Sequence, residues 1–155
     1  MRLTIELDGR ERTAEVDPRM RLVEALRECF GALAPKIGCG TGDCGACTIE
    51  QDGLLVKSCL KLAAAAQGSR ITTLEGLAPP GELTALQRSF WEHHAFQCGF
   101  CVSGMVLSAR ELLARDPDPS DEAIREALDA NLCRCTGYQN IVTAVRAAAR
   151  AARSG

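Results

Sequence analysis

Eight of the nine cysteines in this chain of 155 residues form two sets of four, one set in each half of the sequence. The first set has the spacing C-x4-C-x2-C with a fourth cysteine further on: Cys39, Cys44, Cys47 and Cys59. The second set is a C-x2-C followed much later by a C-x-C: Cys98, Cys101, Cys133 and Cys135. Two complete sets of four thiolate ligands in one short chain predict two metal centres.

The first set begins in a loop, residues 38–47, that holds four glycines among ten residues. Glycine accepts positive φ and lets the backbone approach a bulky anionic group, so that backbone N–H groups can point at the sulfurs. A structural zinc site is the alternative, but zinc sites usually pair two short C-x2-4-C units. The spacing here follows the plant-type ferredoxin pattern and predicts a 2Fe–2S cluster.

The second set is less decisive by spacing alone. Each of its two cysteine pairs comes directly before a predicted helix, so that helix N-termini should lower the thiolate pKa values and stabilise an anionic cluster. Zinc fits this spacing about as well, and a thioredoxin-like redox pair is a further alternative, although no βαβ pattern surrounds it. The first site favours a second iron–sulfur cluster, because two such clusters in one chain make an electron relay.

The first half of the chain has the pattern of a small mixed sheet. Alternating apolar residues and the Asp-Gly dipeptides at 8–9 and 52–53 predict two hairpins, and 70–74 predicts a last strand. Leu22, Ala25, Leu26 and Cys29 recur at helical spacing and predict one amphipathic helix.

The second half has helical spacing throughout and predicts four helices, which suit a bundle. Ser120 is the expected N-cap of the third helix, because two acidic residues follow it. The proline-containing stretch 77–81 is a predicted linker. We therefore expect an α+β protein with a sheet domain over 1–76 and a helical domain over 82–155.

Composition excludes several classes of function. A formal net charge of −2, with no stripe of aromatic and basic residues, gives no reason to expect nucleic acid or an anionic membrane as partner. The N-terminus lacks a secretory signal, so we expect a cytoplasmic protein, in which cysteines more often bind metals than form disulfides. No phosphate-binding loop, dinucleotide fingerprint or nucleophile–base motif occurs, and we expect no catalytic residue on this chain.

Several other residues invite a functional role but have simpler interpretations. Cys29 lies on the apolar face of its helix and is interpreted as a buried structural thiol. His93 and His94 lack ligand spacing and are assigned to the surface or to helix packing. Arg134 either offsets cluster charge or forms a surface salt bridge. Three arginines of the last helix are expected on a solvated face: Arg146, Arg150 and Arg153.

Three motifs together resemble the small iron–sulfur subunit of the molybdenum hydroxylases. They are the loop 38–47 with Cys59, the sequence Gln-Cys-Gly-Phe-Cys at 97–101, and Leu-Cys-Arg-Cys-Thr-Gly-Tyr at 132–138. This family includes xanthine dehydrogenases, aldehyde oxidoreductases, carbon monoxide dehydrogenases and N-heterocycle hydroxylases. The resemblance covers nearly the whole chain and departs from no cysteine position, but it says nothing about the substrate.

The resemblance implies a β-grasp ferredoxin-like domain followed by a four-helix bundle that carries the second 2Fe–2S cluster. It also implies a large partner subunit with molybdopterin and a medium partner subunit with FAD, in a heterotrimer or a dimer of heterotrimers. Gln97 and Cys135 correspond to positions near the pterin, so electrons would enter at the second cysteine set and leave from the first. A free-standing two-cluster ferredoxin is the alternative, and the near-neutral charge favours the subunit.

Overall fold

Five β-strands and five α-helices occupy residues 1–154, the part of the chain that this computed structural model describes. The strands are β1 Arg2–Leu7, β2 Arg10–Glu15, β3 Thr48–Gln51, β4 Leu54–Lys57 and β5 Arg70–Thr72. The helices are α1 Leu22–Glu28, α2 Ala85–Glu92, α3 Val102–Arg115, α4 Asp121–Leu128 and α5 Gln139–Ser154. Residue 155, the last of the predicted helical domain, lies outside the described residues.

The five strands form one mixed sheet in the order β2-β1-β5-β3-β4. β1 runs parallel to β5, and the other neighbouring strands are antiparallel. Both predicted hairpins are confirmed, and their turns carry Asp8 and Asp52 at φ 50° and 52°, each followed by a glycine with positive φ. Alternate residues of β1 pack with α1 in an apolar core, which confirms the predicted sheet and helix.

Two details of this half differ from the sequence prediction. β5 ends at Thr72 instead of continuing to Leu74, because the buried Thr73 hydroxyl accepts a hydrogen bond from the N–H of Glu75 and starts a short 3-10 turn. Cys29 caps the C-terminus of α1 and is half-buried against the core, so it is less enclosed than the predicted buried thiol.

The second half contains the four predicted helices, α2 to α5. Their apolar faces meet in one core around Phe90, Met105, Ile124 and Ile141, each at most 1% exposed. The predicted cap of α4 is confirmed, since Ser120 Oγ accepts a hydrogen bond from the N–H of Ala123 at 3.1 Å. No helix within residues 1–154 is long and apolar enough to span a membrane.

The arginines of α5 lie on its solvent-facing side, and two of them form ion pairs. Arg146 donates to both carboxylate oxygens of Asp121 at 2.8 and 2.9 Å, and Arg153 pairs with Asp118. These ion pairs join α5 to the start of α4 and to the loop before it. Arg150 and Arg153 are exposed and agree with the expected solvated face, whereas Arg146 is half-buried beside Asp121.

The sheet half and the helical half meet along α3, which packs against β3. Arg110 of α3 donates to Glu50 of β3 at 2.6 Å, and the buried hydroxyl of Ser103 donates to the carbonyl of Ala46 at 3.3 Å. Lys57 reaches across to the carbonyl of Ala130 at 3.1 Å. These contacts place the glycine-rich loop beside the helical half, although the division into domains at 76 and 82 remains a prediction.

Candidate iron–sulfur sites

The structure brings the first cysteine set together in two pairs. The side chains of Cys39 and Cys44 are hydrogen-bonded to each other in the glycine-rich loop. Cys59 follows β4 in a 3-10 turn that places its thiol against the thiol of Cys47. Cys47 and Cys59 are 1% and 4% exposed and pack on Val23 of α1, whereas Cys39 is exposed. One thiol pair therefore lies inside the protein and the other lies near its surface.

Hydrogen bonds and burial shift the pKa values of these thiols in opposite directions. The Thr41 hydroxyl and the N–H groups of Cys44 and Thr41 lower the pKa of Cys39 to about 5. The two N–H groups lie 3.4 and 3.3 Å from its sulfur. Burial, with the neighbouring Cys47 thiol, raises the pKa of Cys59 to about 11. A metal must therefore displace a proton from the inner thiol.

At Gly38 the loop leaves no room for a side chain beside a ligand sulfur. A Cβ placed on Gly38 would lie 2.7 Å from Cys44 Sγ, closer than real side-chain contacts allow. The glycine at this position is therefore required by the approach of the backbone to a ligand sulfur, as the loop composition predicted.

The second cysteine set also forms two pairs. Cys98 and Cys135 lie with their sulfurs 3.6 Å apart, and Cys101 contacts Cys133. Cys101 is the N-cap of α3, while Cys133 and Cys135 lie in the loop between α4 and α5. Cys101 is 6% exposed, whereas Cys98 and Cys135 are exposed, so this site again has an inner and an outer side.

The expected lowering of thiol pKa values at the helix ends is only partly observed. The backbone N–H of Phe100 lowers the pKa of Cys98, but the Cys98 thiol raises that of Cys135. Burial raises the pKa of Cys101 to about 12, so the prediction is wrong for the thiol that caps α3. Burial also acts to raise the pKa of Cys133, but hydrogen bonds from the Thr136 hydroxyl and N–H outweigh it.

Two residues that the sequence analysis missed shape the second loop. Thr136 Oγ1 donates to Cys133 Sγ at 3.1 Å, and the N–H of Cys133 donates to the Tyr138 hydroxyl at 2.9 Å. The same hydroxyl lies 3.4 Å from the carbonyl of Asn131. A hydroxyl side chain close behind a ligand is a signal that could have identified Thr136; the role of Tyr138 depends on the loop conformation.

The structure places Gln97 beside Cys135. Gln97 Nε2 donates to the carbonyl of Cys135 at 3.2 Å, and both residues are exposed. Arg134 is exposed and forms no ion pair within residues 1–154. His93 Nδ1 lies 2.9 Å from the carbonyl of Ser89 at the end of α2, which agrees with a packing role.

The paired thiols fit a cluster with two iron atoms. A four-cysteine 2Fe–2S cluster takes two thiolates on each iron, whereas structural zinc gathers four ligands around one point. Each cysteine set here consists of two contacting pairs. In the described part of the chain, no three His, Cys, Asp or Glu side chains form a group suited to a single metal ion.

Family models match both halves of the chain. A 2Fe-2S iron-sulfur cluster binding domain matches residues 5–73, and a second 2Fe-2S binding domain matches residues 73–146. Fold and sites thus define a protein with two 2Fe–2S clusters, one in a ferredoxin-like half and one in a helical half. The expected fold class and the two expected 2Fe–2S clusters are confirmed.

Known proteins resemble the chain over nearly its full length. It is 51% identical to the nicotine 6-hydroxylase small subunit of Paenarthrobacter nicotinovorans, over 92% of this chain and 86% of that protein. It is 47% identical to the nicotinate dehydrogenase small FeS subunit of Eubacterium barkeri, over 93% and 92%. A chain of quinoline 2-oxidoreductase from Pseudomonas putida 86 superposes with a TM-score of 0.93 at 50% identity, covering 100% of this chain and 97% of the other. The chain belongs to the small iron–sulfur subunits of the molybdenum hydroxylase family.

Proposed function

We propose that this chain is the electron-transfer subunit of a molybdenum-containing hydroxylase or dehydrogenase. The observation that carries this proposal is the presence of two sites of paired thiols in one chain, each with a buried and an exposed side. The eight paired cysteines are the proposed ligands, and the clusters, when bound, supply one-electron chemistry. Substrate oxidation would occur on a partner, because this chain carries no motif for it.

The residues of this chain hold and tune the two sites. Backbone N–H groups aim at Cys39 in the first site, and the Thr136 hydroxyl aims at Cys133 in the second. Such donors offset the negative charge of ligand sulfurs and raise the reduction potential. The protein thus provides two different environments for the same kind of redox centre.

The proposed partners are a large molybdopterin-binding subunit and a medium FAD-binding subunit in the cytoplasm, as a heterotrimer or a dimer of heterotrimers. The relatives named small subunits support a larger partner. The exposed Gln97 beside Cys135 supports a pterin-facing surface at the second site. Electrons would then enter through the second cysteine set and leave from the first.

Purification from the native source tests the proposal. We expect the chain to co-purify with a molybdenum-containing partner and to contain iron and acid-labile sulfide with visible absorption. A stable, fully loaded monomer without a molybdenum partner would favour the diffusing two-cluster ferredoxin instead. A colourless protein that contains only zinc would contradict both functions.

The order of the relay needs a separate experiment. Replacing Cys133 with serine should disrupt the second site and slow the reduction of the flavin by substrate in the assembled complex. Rapid mixing of substrate with enzyme measures this rate directly. Normal flavin reduction in a variant shown to lack the second cluster would contradict the proposed order.

A further inference from the structure

The two cysteine-bearing segments are joined directly by one backbone hydrogen bond. The N–H of Leu132 donates to the carbonyl of Cys44 at 2.9 Å. Cys44 is a proposed ligand of the first site, and Leu132 precedes Cys133, a proposed ligand of the second. This contact therefore provides a direct route along bonds between the two cysteine sets.

Asn131 lies next to this contact and is only 1% exposed. Its Nδ2 donates to Ser108 Oγ of α3 at 2.9 Å, while its Oδ1 has no hydrogen-bond partner among the described residues. A buried amide oxygen without a partner is costly. Each such group in a folded interior therefore calls for an explanation from its surroundings.

The unpartnered oxygen lies between two glycines from different parts of the fold. A Cβ on Gly45 of the first cysteine loop would collide with Asn131 Oδ1 and with the carbonyl of Ala130. A Cβ on Gly104 of α3 would collide with the same Oδ1 and with the carbonyl of Gly45. The oxygen thus occupies the space where both glycines lack a side chain, and it faces their Cα–H groups.

Asn131 therefore contacts the first cysteine loop and α3 while it belongs to the segment that carries Cys133 and Cys135. We propose that Asn131 is a positioning residue, which holds the two cysteine sets at one fixed separation and orientation. Electron transfer between two centres depends steeply on their separation, so a fixed junction sets a single transfer rate. This inference rests on the proposed function only in that both sites must hold clusters.

Gln51 offers a matched control for this role. It is a second buried amide, 7% exposed, whose Nε2 donates to Ser69 Oγ at 2.7 Å and whose Oε1 has no partner among residues 1–154. Gln51 and Ser69 both lie in the sheet half. Its removal leaves a similar defect in the interior without touching the junction between the two sites.

The test compares Asn131→Ala with Gln51→Ala in the full-length, cluster-loaded chain. Complete reduction with dithionite makes both clusters paramagnetic, and low-temperature EPR then reports the magnetic interaction between them, which depends on their separation. We expect both variants to unfold at lower temperature. Only Asn131→Ala should lose or broaden the splitting that arises from this interaction.

Unchanged splitting in an Asn131→Ala protein that holds both clusters would overturn the proposal, as would equal changes in the two variants. If Asn131→Ala does not load both clusters, Ser108→Ala decides instead. The Ser108→Ala variant leaves the Asn131 side chain in place but removes the hydrogen bond that Asn131 donates to Ser108. The EPR splitting should therefore broaden. An unchanged EPR spectrum would refute the positioning role. Absence of two cluster signals in the native protein is a distinct result, which would overturn the proposed function itself.

Discussion

The two cysteine sets reach the same arrangement of paired thiols by different routes. The first takes three of its four cysteines from a ten-residue loop in which backbone N–H groups donate to a ligand sulfur, and Cys59 comes from the turn after β4. The second uses segments separated in sequence by α3 and α4, and a threonine hydroxyl donates to a ligand sulfur. A local loop fixes its ligands through backbone conformation, whereas the distant segments depend on helix packing and on side chains.

The two sites nevertheless share one electrostatic pattern. Each has an exposed thiol with a lowered pKa, about 5 for Cys39 and lowered for Cys98. Each also has a buried thiol whose pKa burial raises, to about 11 for Cys59 and about 12 for Cys101. With a pKa of about 5, Cys39 is thus ready to bind iron as a thiolate near neutral pH, while Cys59 and Cys101 need the metal itself to lose their protons.

Replacing one inner ligand in each set gives the largest expected effect and tests whether the two sites are independent. Cys59→Ser and Cys101→Ser should each reduce the iron content from about four to about two atoms per chain, because one 2Fe–2S cluster is lost. Iron and sulfide analysis with EPR identifies the cluster that remains. As a control, Cys29→Ser replaces the cysteine outside both sets and should keep both clusters. Loss of both clusters in Cys59→Ser or in Cys101→Ser would show that the two sites fold as one unit.

A glycine-to-alanine pair compares how tightly the two cysteine loops are enclosed. Gly45 and Gly99 have φ of 74° and 78°, but a Cβ meets atoms only at Gly45. Gly45→Ala should cost about 2–5 kcal/mol of folding free energy through strain and overpacking, and Gly99→Ala roughly 1–2 kcal/mol through strain alone. Unfolding of the cluster-loaded protein, monitored by visible circular dichroism, measures the loss of folding free energy in each variant. Equal losses would mean that the second loop is as confined as the first.

A hydroxyl deletion tests the side-chain donor to Cys133 in the second site. Thr136→Val removes the hydrogen bond to Cys133 Sγ and should lower the potential of the second cluster by roughly 40 mV, the equivalent of about 1 kcal/mol for one electron. The first cluster should keep its potential. Redox titration followed by EPR separates the two, and Thr143→Val on the surface of α5 is the control. An equal shift of both potentials would argue against a local effect.

The smallest expected effect concerns the ion pair between the two halves. Arg110→Ala removes the contact with Glu50; the Arg110 side chain is 48% exposed and that of Glu50 is 24% exposed. The loss should lower the free energy of unfolding by about 0.2–1 kcal/mol, and by less at high salt. Arg115→Ala on the same helix removes only a longer pair within α3 and should cost less. Denaturant titrations at two salt concentrations compare them. A larger loss for Arg115→Ala would show that the ion pair between the halves contributes little.

Features that depend on residues close together in the sequence were predictable. The Asp-Gly turns, the Ser120 cap and the glycine-rich loop depend on a few neighbouring residues, and each lies where the pattern placed it. The assignment of the first cysteine set to a 2Fe–2S site rests on the same kind of local spacing.

Contacts between distant residues were not predictable in this way. The pairing of Arg146 with Asp121 depends on how α5 packs on α4, and the raised pKa of Cys101 depends on the depth at which α3 begins. Asn131 has an unremarkable sequence context, and only the meeting of Gly45 and Gly104 in space gives it a role. These features arise from tertiary packing, which no short window of sequence contains.

The hydrogen bond between Leu132 and Cys44 joins two backbone groups, so it is insensitive to the identity of the side chains at those positions. Among single replacements at residue 132, only proline would delete the donor. Leu132 itself is 60% exposed, and its side chain is free to change. A designer can therefore rewrite the surface around either cysteine set and keep this link, provided that the path of the backbone is preserved.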